Sequence, residues 1–74
     1  MKPELIKQFQ LEALFDIING EDINNLHYIM REFEKEEAFE ECAGIKKALD
    51  SALCKTIDEL EIEYLELINK NHER

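Results

Sequence analysis

Glycine and proline are almost missing from this chain, where Gly20, Gly44 and Pro3 are the only ones among 74 residues. There is also no β-type alternation of apolar and polar residues, no glycine-rich phosphate loop and no internal repeat. Sheet folds are thereby excluded, and long helices are expected. Cys42 and Cys54 are too few for a disulfide scaffold. On one unbroken helix they would lie about 18 Å apart at 1.5 Å per residue, beyond the ~7 Å that a bridge tolerates. No apolar run approaches the ~18 residues of a membrane span. The opening Met1-Lys2-Pro3-Glu4 does not resemble a secretory leader. A reduced, soluble, cytoplasmic protein is expected. Cations are scarce as well, 9 against 18 acidic residues, for a net charge of -9. That charge repels nucleic-acid phosphates and anionic lipid, so direct binding to either is not expected.

What the chain does have is apolar residues, 45% of the total, enough for a packed core and too many for a disordered tail. Its length allows a single small helical domain over residues 1–74. A domain this small hides only about 60% of the surface its unfolded form exposes. Its own core is expected to supply roughly 3–5 kcal/mol unless a partner contributes.

The apolar spacing predicts three helices. The first runs over about residues 4–19, with Leu5, Ile6, Phe9, Ala13, Leu14 and Ile17 on one broad face. Pro3 suits its first turn, and Asn19-Gly20 reads as its stop. The second runs over about 22–35, with Asp22 as its N-cap and Ile23, Leu26, Met30 and Phe33 as its face. Six glutamates then crowd residues 32–41. Like charges at helical neighbours weaken a straight helix, so a hairpin corner is placed at Lys35–Glu37.

The third helix is expected to run over about 38–69, through Phe39, Cys42, Ile45, Leu49, Leu53, Ile57, Leu60, Tyr64 and Leu67. Gly44 inside it marks a close-packing point rather than a break. Thr56-Ile57-Asp58-Glu59 matches a capping box, which allows a break near Thr56. The apolar stripe crosses that point without changing phase, so one continuous helix is favoured. Such a helix reaches about 45 Å, twice the length of the other two. Unless the first helix stacks past the second to cover it, its far half would carry a bare, wide stripe of Ile57, Leu60, Tyr64, Leu65, Leu67 and Ile68. A homodimer packed through these residues is the expected solution.

Residues 30–49 resemble the UVR motif, the short helical hairpin of UvrB/UvrC-type excision-repair proteins and of some protease adaptors. Phe39 and Glu40 stand in its opening aromatic-acid pair, and Cys42 and Ala43 in its small pair. Ile45 takes the leucine place, Lys46 the arginine place, and Met30 matches the methionine nine residues before the aromatic. Lys47 replaces the motif's aspartate, Glu37 its leucine, and Phe33-Glu34 stand where it often has alanines. The resemblance implies an all-helical docking hairpin that pairs head to head with another, and no catalytic residue.

Little else carries chemistry. His27, His72, Cys42 and Cys54 lack the spacing of a zinc site, and no metal or other cofactor is expected. The glutamates of the corner read as solvated rather than catalytic, since a catalytic carboxylate needs burial and a pocket. No enzyme is expected. Lys46, Lys47 and Lys55 form a small basic island that could contact an anion. The sequence therefore predicts a non-enzymatic interaction module, an adaptor or inhibitor acting through an apolar helical face with an acidic rim. Its size and charge fit an accessory protein, such as one of viral origin. The alternatives are an acidic mimic of nucleic acid that blocks a DNA-binding protein and, below it, an oligomeric sponge for a small nucleotide.

Overall fold

In a computed structural model the chain forms four helices, α1 (Pro3–Ile18), α2 (Ile23–Lys35), α3 (Phe39–Cys54) and α4 (Ile57–His72). The structure describes residues 2–72, and side chains over residues 2–69. The all-α class agrees with the sequence reading, but the single helix expected over 38–69 is two helices. Three helices become four.

Local chemistry explains each boundary. Pro3 opens α1, where the missing N–H of a proline leaves nothing unsatisfied. Gly20 closes it at φ 95°, with Glu21 N donating to Asp16 O at 2.9 Å and Gly20 N to Ile17 O at 3.0 Å. These two bonds are those of a Schellman cap. Asp22 then starts α2, its carboxylate accepting from Asn24 N at 2.9 Å. The α2–α3 corner repeats the Schellman pattern with a glutamate in the glycine position. Glu37 lies at φ 60°, Ala38 N donates to Phe33 O at 2.9 Å, and Glu37 N to Glu34 O at 3.0 Å.

Between α3 and α4 the backbone leaves the helix at Lys55, which is extended at φ -127° and ψ 151°. Here the capping box is made in full. Glu59 N donates to Thr56 Oγ1 at 3.2 Å, and Thr56 N donates back to Glu59 Oε1 at 2.9 Å. The free amides of a new helix start are thereby satisfied. Breaking the helix forfeits a few backbone bonds but turns Leu60 inward until 1% of it is exposed. Burying one leucine contributes about 1.5–3 kcal/mol, and Tyr64 and Leu67 join the same core. Folding back therefore outweighs continuing straight.

The central pair is α1 and α3, with α2 leaning on α3 and α4 on α1. Gly44 lets the pair approach at backbone distance. A Cβ built there would collide with the carbonyl oxygen of Ile6 and lie 2.8 Å from Phe9 Cβ and 2.9 Å from Gln10 N. The core comprises Ala13, Leu14 and Ile17 of α1, Leu26 of α2, Ile45, Ala48 and Leu49 of α3, and Leu60 of α4. The molecule measures 32 × 29 × 17 Å. Outside that core, Phe15, Tyr28, Phe39, Leu53, Ile62 and Leu65 stay more than half exposed.

Candidate functional site

The residues expected to form an interface divide between the two sides of α4. Leu60 is enclosed by its own chain, and Tyr64 and Leu67 are half-buried against the core. The Tyr64 ring lies 6.0 Å from that of Phe15 on α1, tilted by 41°. Ile68 is half-buried, and Ile57 stays 48% exposed at the start of the helix. The inner part of the stripe is thus sheltered by α1, which corrects the picture of a wholly bare far half.

Other apolar groups are left outside. Ile62 and Leu65, one turn apart on the opposite side of α4 from Leu60, are 56% and 58% exposed. Leu53, at the end of α3, is 83% exposed. Leu53 and Ile57 continue the stripe through the joint, so the bend that buries Leu60 turns these two out. Ile62 lies off the stripe and carries no sequence signal beyond being apolar among acids. It borders a cleft whose other wall holds Cys54 and Lys55, with Glu59, Glu63 and Glu66 around it.

The charge carried by α4 itself has one sign over most of its length. Between Ile57 and Asn69 there are five acidic residues and no lysine or arginine. Glu59 belongs to the capping box. Glu63 accepts from Lys55, Ser51 and Gln10. Among the described residues Asp58, Glu61 and Glu66 have no cationic partner.

The basic island is not assembled. Lys46 Nζ pairs with Asp50 Oδ2 at 3.2 Å, and Lys55 Nζ with Glu63 Oε1 at 2.7 Å. Lys47 lies apart from both, beside Lys7, Ile6 and Leu67 in a shallow cleft between α1, α3 and α4. The three lysines do not converge on an anion.

The residues that resemble the UVR motif lie on the α2–α3 hairpin. Phe39 is 55% exposed at the corner, and Glu40 Oε2 accepts from Lys2 N at 3.3 Å. Ile45 is buried, while Met30, Cys42 and Ala43 are half-buried. Burial, then the Glu34 carboxylate, push the Cys42 thiol above its ordinary pKa, with Lys46 opposing. A thiol so shifted is a weak nucleophile at neutral pH. Both cysteines are free, and Cys54 is exposed.

Among the described residues no three His, Cys, Asp or Glu side chains gather as a metal site, and the His72 side chain lies outside them. No helix among them is long and apolar enough to cross a membrane. Comparison with family models, curated proteins and solved structures finds no match to this chain.

Proposed function

We propose that the chain is a non-enzymatic docking module, an adaptor or inhibitor that occupies an apolar surface of another protein. The observation that carries this reading is the outward side of α4, where Ile62 and Leu65 stand in water beside Asp58, Glu61 and Glu66, which have no cationic partner among the described residues. Large apolar groups left exposed in this way mark interaction surfaces. The rim selects the partner's sign. A symmetric dimer through this side would set Asp58, Glu61 and Glu66 of one copy against the same residues of another, at a net charge of -9 each. Like charges brought together at an interface disfavour it, whereas a partner with a basic rim gains in both encounter rate and register. A basic protein partner therefore fits better than a second copy. The exposed Phe39 of the UVR-like hairpin supports the same class of function from a second edge of the molecule.

Affinity capture from a host lysate, with the wild type and with Leu65→Asp and Ile62→Asp, tests the reading. Both variants change exposed positions and keep the wild-type helical signal. The expected result is one captured protein that resists ~0.5 M salt, where exposed charges are screened, and is lost with either variant. Capture unaffected by the variants would overturn the proposal. Capture that vanishes with salt would favour mimicry of nucleic acid instead.

A further inference from the structure

Phe9 of α1 and Phe33 of α2 meet edge to face with ring centroids 5.6 Å apart. Around that pair lies a cavity of about 200 Å³, lined by the buried Ala13, Leu26 and Ile45 and by Phe9, Ile29 and Phe33. The first three belong to the buried core, so the cavity opens directly onto it. Its volume lies below the ~300 Å³ at which sites for drug-sized ligands begin. It fits a single large apolar side chain.

The remaining two lining residues are carboxylates, Glu12 and Asp16. They stand four apart on α1, one above the other along one edge of the opening. The polar contact of Glu12 is with Gln8 Nε2 at 3.4 Å, and among the described residues neither carboxylate meets a cation. Partial burial, then Glu21, then Glu12, raise the pKa of Asp16 above its ordinary value. Two like charges held side by side at the lip of an apolar hole are unfavourable for the protein alone. A cation brought by whatever fills the hole would relieve them.

We infer that the α1–α2 cleft is an anchor pocket for a basic amphipathic helix of a partner protein, taking one apolar side chain while Glu12 and Asp16 receive a lysine or arginine one turn away. An apolar anchor in a fitted pocket beside paired charges is how helix-in-groove recognition concentrates its affinity. The inference rests on the reading of the chain as a docking module, but it places the anchor between α1 and α2 rather than on the outward side of α4.

The probe is a fluorescently labelled amphipathic helical peptide built of leucine and lysine, followed by anisotropy at physiological salt. A peptide with glutamate in place of lysine serves as its counterpart. The intact chain is expected to bind the lysine peptide, and the double variant Glu12→Gln/Asp16→Asn to weaken it at least tenfold. Ile29→Trp, which fills the cavity from its wall, should weaken it similarly with an unchanged melting transition. Glu34→Gln/Glu36→Gln, the same change of charge at the hairpin corner, should leave binding within twofold. Equal loss in the two double variants would reduce the effect to net charge and overturn the inference. So would equal binding of the glutamate peptide, or no binding at all. Loss on Leu65→Asp without loss on Glu12→Gln/Asp16→Asn would overturn the cleft and leave the α4 reading standing.

Discussion

Lys55 Nζ donates to Glu63 Oε1 at 2.7 Å across the break between α3 and α4. The other oxygen of Glu63 accepts from Ser51 Oγ at 3.1 Å and Gln10 Nε2 at 3.4 Å. One carboxylate thus ties the end of α3, the middle of α1 and the second turn of α4. The pair braces α4 in the position in which Leu60 faces in while Ile62 and Leu65 face out.

Glu63→Ala should therefore loosen α4 before the rest of the fold. Hydrogen exchange is expected to accelerate at α4 amides while those of α1 and α3 keep their protection. Glu66→Ala, at a carboxylate without a described cationic partner, should change neither. The hydrogen bond that Lys55 donates to Glu63 raises the pKa of Lys55 above 10.5. A raised lysine pKa contributes stability that is fully present below the unfolded value and is lost as pH rises through the folded one. The loss on Glu63→Ala should accordingly be constant from pH 6 to 9, and shrink above about 10.5.

Gly44→Ala reverses the usual rule for helices. Propensity alone favours alanine by about 1 kcal/mol. Against it, the new methyl would meet backbone atoms of Ile6 and Gln10 and the Cβ of Phe9. Overpacking at such a contact typically costs about 1–3 kcal/mol. The variant should be less stable in urea melts by at least 1 kcal/mol, and a stability gain would show that α1 and α3 are not this close.

Glu37→Gly acts in the other direction. Glu37 holds φ 60° at the Schellman cap of α2, a conformation that costs an L-residue roughly 1–2 kcal/mol and glycine nothing. Part of that gain is lost to the greater freedom of glycine in the unfolded chain. A net stabilisation of about 0.5–1 kcal/mol is expected, read as a rise of a few degrees in melting temperature.

Asp16→Asn should stabilise the free protein at neutral pH and do nothing in acid. Partial burial and the neighbouring Glu21 and Glu12 raise the pKa of Asp16 above 3.8. The folded state thus disfavours the charged form, and the ionised group subtracts stability above its folded pKa. Below about 3.8 both states hold the proton and the difference vanishes. Denaturant melts at pH 7 and pH 3 measure the two limits. A gain that persists at pH 3 would assign the effect to packing rather than charge.

Much of the fold was legible in the chain because the signals involved are local. The Asn19-Gly20 stop, the Asp22 cap and the corner near Glu37 each depend on atoms within five residues, and each stands where the spacing placed it. The capping box at Thr56 was equally legible, and the unbroken apolar stripe outweighed it. That stripe misleads because its phase is the same for a straight helix and for one that bends without inserting a residue on either face. Phase reports which residues share a side, not what lies opposite.

The candidate site shows the same division. Ile57, Leu60, Tyr64, Leu67 and Ile68 form one stripe in the sequence, but only the return of α4 separates Leu60 inside from Ile57 outside. Lys46, Lys47 and Lys55 fall within ten residues of sequence, yet Lys46 is paired with Asp50 and Lys55 with Glu63. Glu12 and Asp16 carry no signal at all until α2 leaves a cavity beneath them.

By itself the sequence determined that the chain is helical, where α1 and α2 end, and that its charge repels anions, since these follow from spacing, caps and composition. Whether the last third of the chain continues or folds back was decided only in three dimensions. There the burial of Leu60 against α1 exceeded the few backbone bonds given up at Lys55, a comparison between residues more than forty positions apart that no local pattern encodes.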